Sequence, residues 1–295
     1  MKSRRYVGID MQRGEIRAVS LRKRWRKGGQ LVGSHICTIP GDSIPEDLRQ
    51  ISPGARQALI KTLHEALLPI VIKERRVALS LPDHCGYVMT LEVDRFPRLR
   101  GEGKEVVAWQ IGKLLSGLSE LQFDYQVLTR SPGGGVRLLV IAAEKDVVAA
   151  YENLIRQAGF IPEQVGFYGL NVYRHWRYRL DPEGDAILVS LNQEGIVVQS
   201  FRDGVLEYYR SRAVGGQVSR QVQELHRIVA GYGREFSGRG RFRAYLHADK
   251  PVEQAAQEAL NECFGRKVQL LEGHADSPPA LAAALGAAER MMMGG

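Results

Sequence analysis

The sequence predicts an α/β protein built from two similar halves, with a small α+β subdomain inserted in the first. Two observations support this. A series of three strands, a helix, a strand and further helix occurs twice along the 295 residues. An extra block of strand and helix patterns lies between the two occurrences. The predicted units are residues 1–167 with the insertion near 87–143, residues 168–276, and a C-terminal helix over 277–295 that packs back on the core.

The first half begins with three β-rich runs, which predict strands at 5–10, 15–23 and 31–40. Ser52 and Pro53 are typical of a helix N-cap followed by proline in the first turn. A strand predicted at 76–81 is the fourth strand of the first half.

The inserted block is predicted to contain strands at 87–93, 123–128 and 136–143, with a helix over 102–118. A further helix follows the block and is stopped by Gly159. The loop Ser-Pro-Gly-Gly-Gly at 131–135 indicates a hairpin rather than a phosphate loop, because no helix follows it directly.

The second half repeats the series. Its predicted elements are strands at 186–191, 196–201 and 205–211, a helix from 217, a strand at 242–246, a helix over 252–264 and a strand at 268–271. The Arg-Asp-Gly sequence at 202–204 is typical of a tight hairpin between the second and third of these strands.

The composition is that of a globular protein, with 44% hydrophobic and 25% charged residues, which excludes disorder, collagen and coiled coil. No apolar run approaches the 18 residues expected of a membrane span, and the first ten residues do not indicate a signal peptide. The three cysteines are widely spaced and predict neither a disulfide framework nor a zinc site; a reducing cytosol fits them best.

The positive charge is concentrated at one end. The net charge is +8, and residues 1–30 alone hold ten basic and two acidic groups, so the rest of the chain is neutral. This pattern favours a local anionic partner over a nucleic-acid partner. A basic turn is predicted between two strands, and it is either a solvated hairpin tip or a contact with an anionic membrane or an acidic partner. Its residues are Arg22, Lys23, Arg24, Trp25, Arg26 and Lys27.

Several motifs occur in order along nearly the whole chain. They are Val-Gly-Ile-Asp at 7–10, Leu-Ser-Leu-Pro at 79–82, Glu-Val-Val-Ala-Trp-Gln at 105–110, Phe-Asp-Tyr-Gln-Val-Leu at 123–128, Ile-Ala-Ala-Glu-Lys-Asp at 141–146, Phe-Arg-Asp-Gly at 201–204 ahead of Gly215-Gly216, and Pro-Ala-Leu-Ala-Ala-Ala-Leu-Gly at 279–286. Together they resemble the PilM family of type IV pilus assembly proteins, which has the duplicated actin-like (ribonuclease-H-like) ATPase fold. Cytoplasmic domains of type II secretion platform proteins are related to this family.

The resemblance implies a cytoplasmic scaffold of a type IV pilus or type II secretion-like platform, peripheral to the bacterial inner membrane. The implied partners are the N-terminal cytoplasmic tail of a PilN-like single-pass protein and the assembly motor ATPase. We expect the tail to bind the first half, between its core and the inserted subdomain. The alternative function is a working ATP-binding actin-like ATPase of the same apparatus.

The resemblance also implies a nucleotide cleft formed by two hairpins and a glycine-rich adenosine loop. In the first hairpin, Asp10 holds the acidic position, either organising Mg²⁺ or only capping its turn. Bulky Gln12, followed by Arg13 and Gly14, replaces the family's small residues, and Arg17 replaces a lysine.

The second hairpin departs further from the family. Ser190 and Asn192 stand where the family has aspartate and glycine, although Gly215 and Gly216 are kept, either for the cleft or only to open a helix. The adenosine segment at 245–250 has no glycine. We therefore expect a degenerate cleft that binds no cofactor or only weakly binds ATP and Mg²⁺, with no catalytic residues. The histidines form no metal-ligand pattern, and His247 among them is predicted to be an isolated surface or core side chain.

Overall fold

The computed structural model describes residues 4–24, 28–40, 48–71, 73–118, 120–180, 184–237, 242–252, 254–273 and 277–294. The strands are β1 (Arg5–Gln12), β2 (Glu15–Arg24), β3 (Gly28–Thr38), β4 (Arg76–Leu81), β5 (Tyr87–Val93), β6 (Leu121–Arg130), β7 (Val136–Glu144), β8 (Ile161–Phe167), β9 (Asp185–Leu191), β10 (Gly195–Arg202), β11 (Val205–Ala213), β12 (Phe242–Ala248) and β13 (Val268–Leu270). The helices are α1 (Pro53–Leu67), α2 (Arg100–Leu114), α3 (Lys145–Gln157), α4 (Tyr168–Trp176), α5 (Val218–Ser237), α6 (Gln254–Phe264) and α7 (Ala282–Met293).

Two five-stranded sheets have the same plan. The first has the order β3-β2-β1-β4-β8 and the second β11-β10-β9-β12-β13. In each sheet an antiparallel series of three strands is extended by two parallel strands. This matched order confirms the predicted α/β fold class with two similar halves.

Helix α1 begins as the sequence predicts. The Ser52 hydroxyl accepts a hydrogen bond from the Ala55 amide at 3.3 Å, and Pro53 occupies the first turn, where its missing N–H leaves no bond unmade. Leu59 and Leu63, one turn apart on the same face of α1, are buried against the first sheet. The cap and the apolar stripe therefore place α1 on one face of that sheet.

Helix α7 packs on the other face of the first sheet and alongside α4. A Cβ at Gly8 would lie 2.0 Å from the carbonyl oxygen of Ala284, and one at Gly286 would lie 1.9 Å from that of Asn171. Only glycine permits such close approach of two backbones. Gly8 of the Val-Gly-Ile-Asp motif thus serves helix packing.

The inserted subdomain is a three-stranded sheet of order β5-β7-β6 covered by α2. Helix α2 ends at Leu114, not at 118 as predicted, and Gly117 then adopts a φ of 99° that helices exclude. Strand β8 and helix α4 were not among the predicted elements. Strands β6 and β8 each lie at the edge of a sheet, so one side of each has no neighbouring strand among the described residues.

Candidate functional site

The turns of the β1–β2 and β9–β10 hairpins meet between the two halves. The backbone amide of Arg13 donates a hydrogen bond to Glu194 Oε1 at 2.5 Å. A Cβ at Gly14 would lie 3.8 Å from the side-chain oxygen of Gln193, and one at Gly216 would lie 3.2 Å from the Cα of the same residue. The fold thus brings together three of the segments that the sequence assigned to a nucleotide cleft.

The β9–β10 turn is stabilised by hydrogen bonds to the side chain of Asn192, one of its own residues. Asn192 Oδ1 accepts hydrogen bonds from the amides of Glu194 and Gly195, both at 2.8 Å. The Gln221 side-chain amide then donates to the carbonyl oxygens of Asn192, Gly195 and Gly215, at 2.7, 3.0 and 2.8 Å. Two turn amides and three carbonyls are therefore bonded to protein groups.

Arg17 joins the two halves through a buried guanidinium that is only 1% exposed. Its Nη1 lies 2.5 Å from Asp249 in the second half and 3.5 Å from Asp10 in the first. Its Nη2 lies 2.9 Å from Glu15, and Nη1 also donates to the carbonyl of Ala280 at 3.2 Å. One cation thus faces three carboxylates at the meeting point of the halves.

Asp249 is held from its other side by a chain of buried groups. The Tyr168 hydroxyl donates to Asp249 Oδ1 at 2.8 Å, and His247 Nε2 lies 3.1 Å from the same oxygen. The Trp176 indole N–H donates to His247 Nδ1 at 3.1 Å. Because an indole nitrogen only donates, the imidazole is neutral with its proton on Nε2. His247 is thus a buried core histidine with a partner on each ring nitrogen, a role that the sequence prediction of a surface or core side chain did not specify.

The two buried aspartates differ in charge behaviour. Burial raises the pKa of Asp10 to about 7, and Arg17 and the Gln12 amide, which donates to Asp10 at 3.0 Å, only partly oppose this. Burial also acts on the pKa of Asp249, but the adjacent Arg17 and His247 outweigh it and hold that pKa below its usual value. Ser190, which the sequence assigned to the cleft, is fully buried beside His247, its partner in the β9–β12 ladder.

Open space remains beside this cluster. A cavity of about 380 Å³ lies between the segment after β4 and strands β10 and β11, with His84, Glu194 and Arg212 on its walls. Asp83 lies at its edge, hydrogen-bonded by the Tyr209 hydroxyl and the Gly169 amide. Burial raises the pKa of Asp83 to about 6, despite both hydrogen bonds.

A second cavity, of about 250 Å³, lies between the inserted subdomain and the first sheet. We call it the edge groove, because the outer edges of β6 and β8 form its two sides. Its lining includes Phe123, Asp124, Ile141, Val165, Gly166 and Arg290. The Arg290 guanidinium donates to the carbonyl oxygen of Val165 at 3.1 Å, so one backbone group of β8 is already bonded there. This is the region in which the sequence predicts tail binding.

The described part of the basic turn lies at the end of the β1–β2 ladder opposite the hairpin turn. Arg22, Lys23 and Arg24 are exposed at the end of β2, while Trp25, Arg26 and Lys27 lie outside the described residues. None of the described helices is long and apolar enough to cross a membrane. The described part of the chain also contains no group of three or more His, Cys, Asp or Glu side chains arranged to hold a metal ion.

The similarity of this chain to known proteins was found by comparing structures and not by comparing sequences. No family model and no curated protein sequence matches the chain. A chain of the PilM–PilN type IV pilus biogenesis complex superposes with a TM-score of 0.81 at 16% identity, covering 97% of this chain and 98% of that one. The fold is actin-like.

Two further structures agree with this fold. A Bacteroides thetaiotaomicron protein with an actin-like ATPase fold gives a TM-score of 0.55 at 11% identity over 96% of both chains. The cytoplasmic domain of EpsL, an inner-membrane component of the Vibrio cholerae type II secretion system, gives 0.52 at 11% identity, over 98% of this chain and 95% of that one. The resemblance to PilM that the sequence indicated is confirmed at the level of fold.

Proposed function

We propose that the protein is a cytoplasmic scaffold of a type IV pilus or related secretion platform, peripheral to the bacterial inner membrane. In this role it captures the N-terminal cytoplasmic tail of a PilN-like membrane protein and contacts the assembly motor ATPase. The observation that carries the proposal is the edge groove, combined with a full-length fold match to a chain of a PilM–PilN complex.

The edge groove suits an extended peptide. Edge strands present unpaired N–H and C=O groups, and a peptide that adds a strand there gains main-chain hydrogen bonds. Here two edges, of β6 and β8, border one cavity, with Phe123 and Ile141 providing apolar contact. Such a groove binds the backbone through its edges and selects side chains through its lining.

The charges of the edge groove indicate the kind of tail. Asp124, Glu152 and Glu163 line the groove together with Arg290. Glu152 pairs with Arg156 at 2.7 Å, and Glu163 lies 3.4 Å from Arg4. Asp124, whose side chain is 58% exposed, is therefore the carboxylate most open to a tail. A tail that carries one or two basic residues among apolar ones complements this lining. An acidic tail would meet like charge.

Tail binding is tested by titrating the full chain with a fluorescent peptide of a PilN-like N-terminal tail. Ile141→Lys puts an ammonium into the apolar lining and should lower the affinity at least about tenfold, because burying an unpaired charge is costly. Ile36→Lys is the matched control, since Ile36 is 43% exposed on β3, the edge of the first sheet opposite β8. Equal affinity of the two variants, both folded by circular dichroism, would place the tail elsewhere.

The cleft between the halves is proposed to bind no nucleotide. Phosphates in such a cleft need free turn amides, but the amides of Arg13, Glu194 and Gly195 already donate to protein oxygens. Mg²⁺ needs carboxylate oxygens, but Asp10 is bonded by Gln12 and faces Arg17. The residues present therefore do not fit ATP and Mg²⁺ in this arrangement.

The alternative function, an ATPase, is separated from the scaffold by two measurements. We expect no heat signal when ATP and Mg²⁺ are titrated into the protein, and no hydrolysis above background. Hydrolysis that Asp10→Ala abolishes would instead establish the enzyme. The scaffold proposal expects that Asp10→Ala leaves tail affinity unchanged.

A further inference from the structure

A second basic region lies where helices α4 and α7 end side by side. Arg174 lies in the last turn of α4 and Arg177 directly follows the helix. Their guanidinium groups lie 3.8 and 3.2 Å from the same atom, Met293 Sδ. Arg290 lies one turn before Met293 on α7. The fold therefore gathers three guanidinium groups around the end of α7.

These arginines have no acidic group in direct contact within the described part of the chain, although Asp124 acts on Arg290 and Glu289 on Arg174 from a longer distance. Among the described residues, none of the three forms an ion pair within 4.0 Å, and the nearest carboxylate of α7, Glu289, is bonded by His175 at 3.0 Å. Arg177 Nε is buried and has no hydrogen-bond acceptor in the described part of the chain. Burial, and then the charges of Arg177 and Arg290, lower the pKa of Arg174.

The negative potential at helix C-termini explains only part of this clustering of arginines. The C-terminal end of a helix favours cations, and both α4 and α7 end here. That effect does not supply an acceptor for Arg177 Nε, nor does it compensate three clustered charges. The cluster therefore has unused capacity for an anion.

Apolar side chains are exposed beside these charges. Tyr178 is 78% exposed, with the Arg177 guanidinium 4.6 Å from its ring centroid, and Met293 is 56% exposed. Aromatic rings and cations together are typical of surfaces that contact the interface of a bilayer. A soluble anion would use the charges but not these side chains.

The region is continuous with two features described above. Met292, next to Met293, packs in one cluster with Leu21 of β2, which brings the end of β2 at Arg22 close to the end of α7. Arg290 also lines the edge groove. The arginine cluster thus lies between the end of β2 and the groove.

We propose that the end of α4 and α7, formed by Arg174, Arg177, Tyr178, Arg290 and Met293, is a docking surface for an anionic phospholipid bilayer. The guanidinium groups contact lipid phosphates while Tyr178 and Met293 reach the interfacial region. The charges and exposed side chains carry this inference by themselves, and the proposed capture of a membrane protein's tail makes a bilayer the expected anionic surface.

The test is sedimentation of the full chain with phosphatidylcholine vesicles that contain or lack phosphatidylglycerol. We expect binding only with phosphatidylglycerol, weakened by salt. The double variant Arg174→Gln, Arg177→Gln should lower the partition coefficient about tenfold. Arg95→Gln with Arg98→Gln is the control, since it removes the same charge from the loop after β5 in the inserted subdomain.

Further variants and alternative ligands distinguish lipid docking from its alternatives. If the arginine variant folds poorly, Tyr178→Ser with Met293→Ser at exposed positions should still weaken vesicle binding. Three results would overturn the proposal. The first is an equal loss of vesicle binding in both charge variants, and the second is a loss caused only by replacing Arg22, Lys23 and Arg24. The third is binding of inorganic phosphate or an acidic peptide in place of vesicles. Tail affinity, measured without lipid on the same variants, tests the proposed function separately.

Discussion

The cleft between the halves and the edge groove both include strands of the first half, yet they differ in how far their polar groups are bonded within the protein. In the cleft, Arg17, Asp249 and the turn amides are bonded to other protein groups. In the groove, two strand edges and the Asp124 carboxylate face open space. A region whose charged groups and turn amides are bonded within the protein behaves as core, whereas open strand edges indicate a partner. The comparison predicts that substitutions in the cleft change stability and that those in the groove change binding.

The largest effect is expected from Arg17→Met. Removing the guanidinium leaves the buried Asp249 carboxylate without its partner, which should lower the free energy of unfolding by about 3–5 kcal/mol. Urea denaturation measures this. Arg220→Met on the exposed face of α5 is the control and should cost less than about 0.5 kcal/mol. A loss below about 1 kcal/mol for Arg17→Met would mean that the cleft is not a packed core.

Asp10→Asn should change the pH dependence of stability. The pKa of Asp10 in the folded protein is about 7, above its usual 3.8, so the protonated form is favoured by folding. That contribution is complete below about pH 4 and is lost as the pH rises to about 7. Asparagine cannot ionise, so the variant should exceed the wild type by about 2–4 kcal/mol at pH 8 and match it near pH 4.

Chemical denaturation across this pH range measures the difference. The titration of Asp249 does not overlap this pH range. Its pKa is lowered, so it affects the free energy of unfolding only below its usual value of 3.8. Parallel pH profiles of wild type and Asp10→Asn would contradict the assignment.

Asn192→Ala should have a smaller effect. It removes the oxygen that accepts two turn amides, and leaving such groups without an acceptor should cost about 1–2 kcal/mol by urea denaturation. Asn153→Ala on the exposed face of α3 should be nearly neutral. If Asn192→Ala also created measurable ATP binding, the side chain would be the main obstacle to phosphate.

Asp124→Asn in the edge groove should have the smallest effect on stability. Its side chain is 58% exposed and its distance to Arg100 is 3.9 Å, so the unfolding free energy should change by less than about 0.5 kcal/mol. Affinity for a basic tail should nevertheless fall a few-fold, and the loss should shrink in high salt. A stability loss comparable to that of Asn192→Ala would remove the contrast between the two regions.

Much of the fold could be predicted from local patterns. Strand alternation and the Ser52-Pro53 cap gave correct elements, and the repeated series gave the matched halves. Strand β8 and helix α4 were missed because Ile161–Phe167 does not alternate cleanly and no polar cap precedes Tyr168. The end of α2 was misplaced because apolar spacing continues past Leu114 although the backbone does not.

The candidate site was predicted only in part. The hairpin residues were found because they follow strands in a familiar order. Asp249 and Glu194 were missed because their role depends on Arg17 and Arg13, which are far away in the sequence. An acidic residue directly after strand β12, opposite an arginine on β2, was the available signal. His247 could not be assigned, since only the fold brings Trp176 to its ring.

The packing of α7 has a consequence for how the protein forms. Strand β1 begins at Arg5, but the backbone that Gly8 contacts belongs to α7, which begins at Ala282. The first sheet therefore keeps one apolar face uncovered during synthesis until α7 has left the ribosome. Contacts of such long sequence separation slow folding, and the nascent first half presents an aggregation-prone surface in the meantime. The second half depends on α7 less, because the core beneath its helices α5 and α6 consists of residues that precede α7 in the chain.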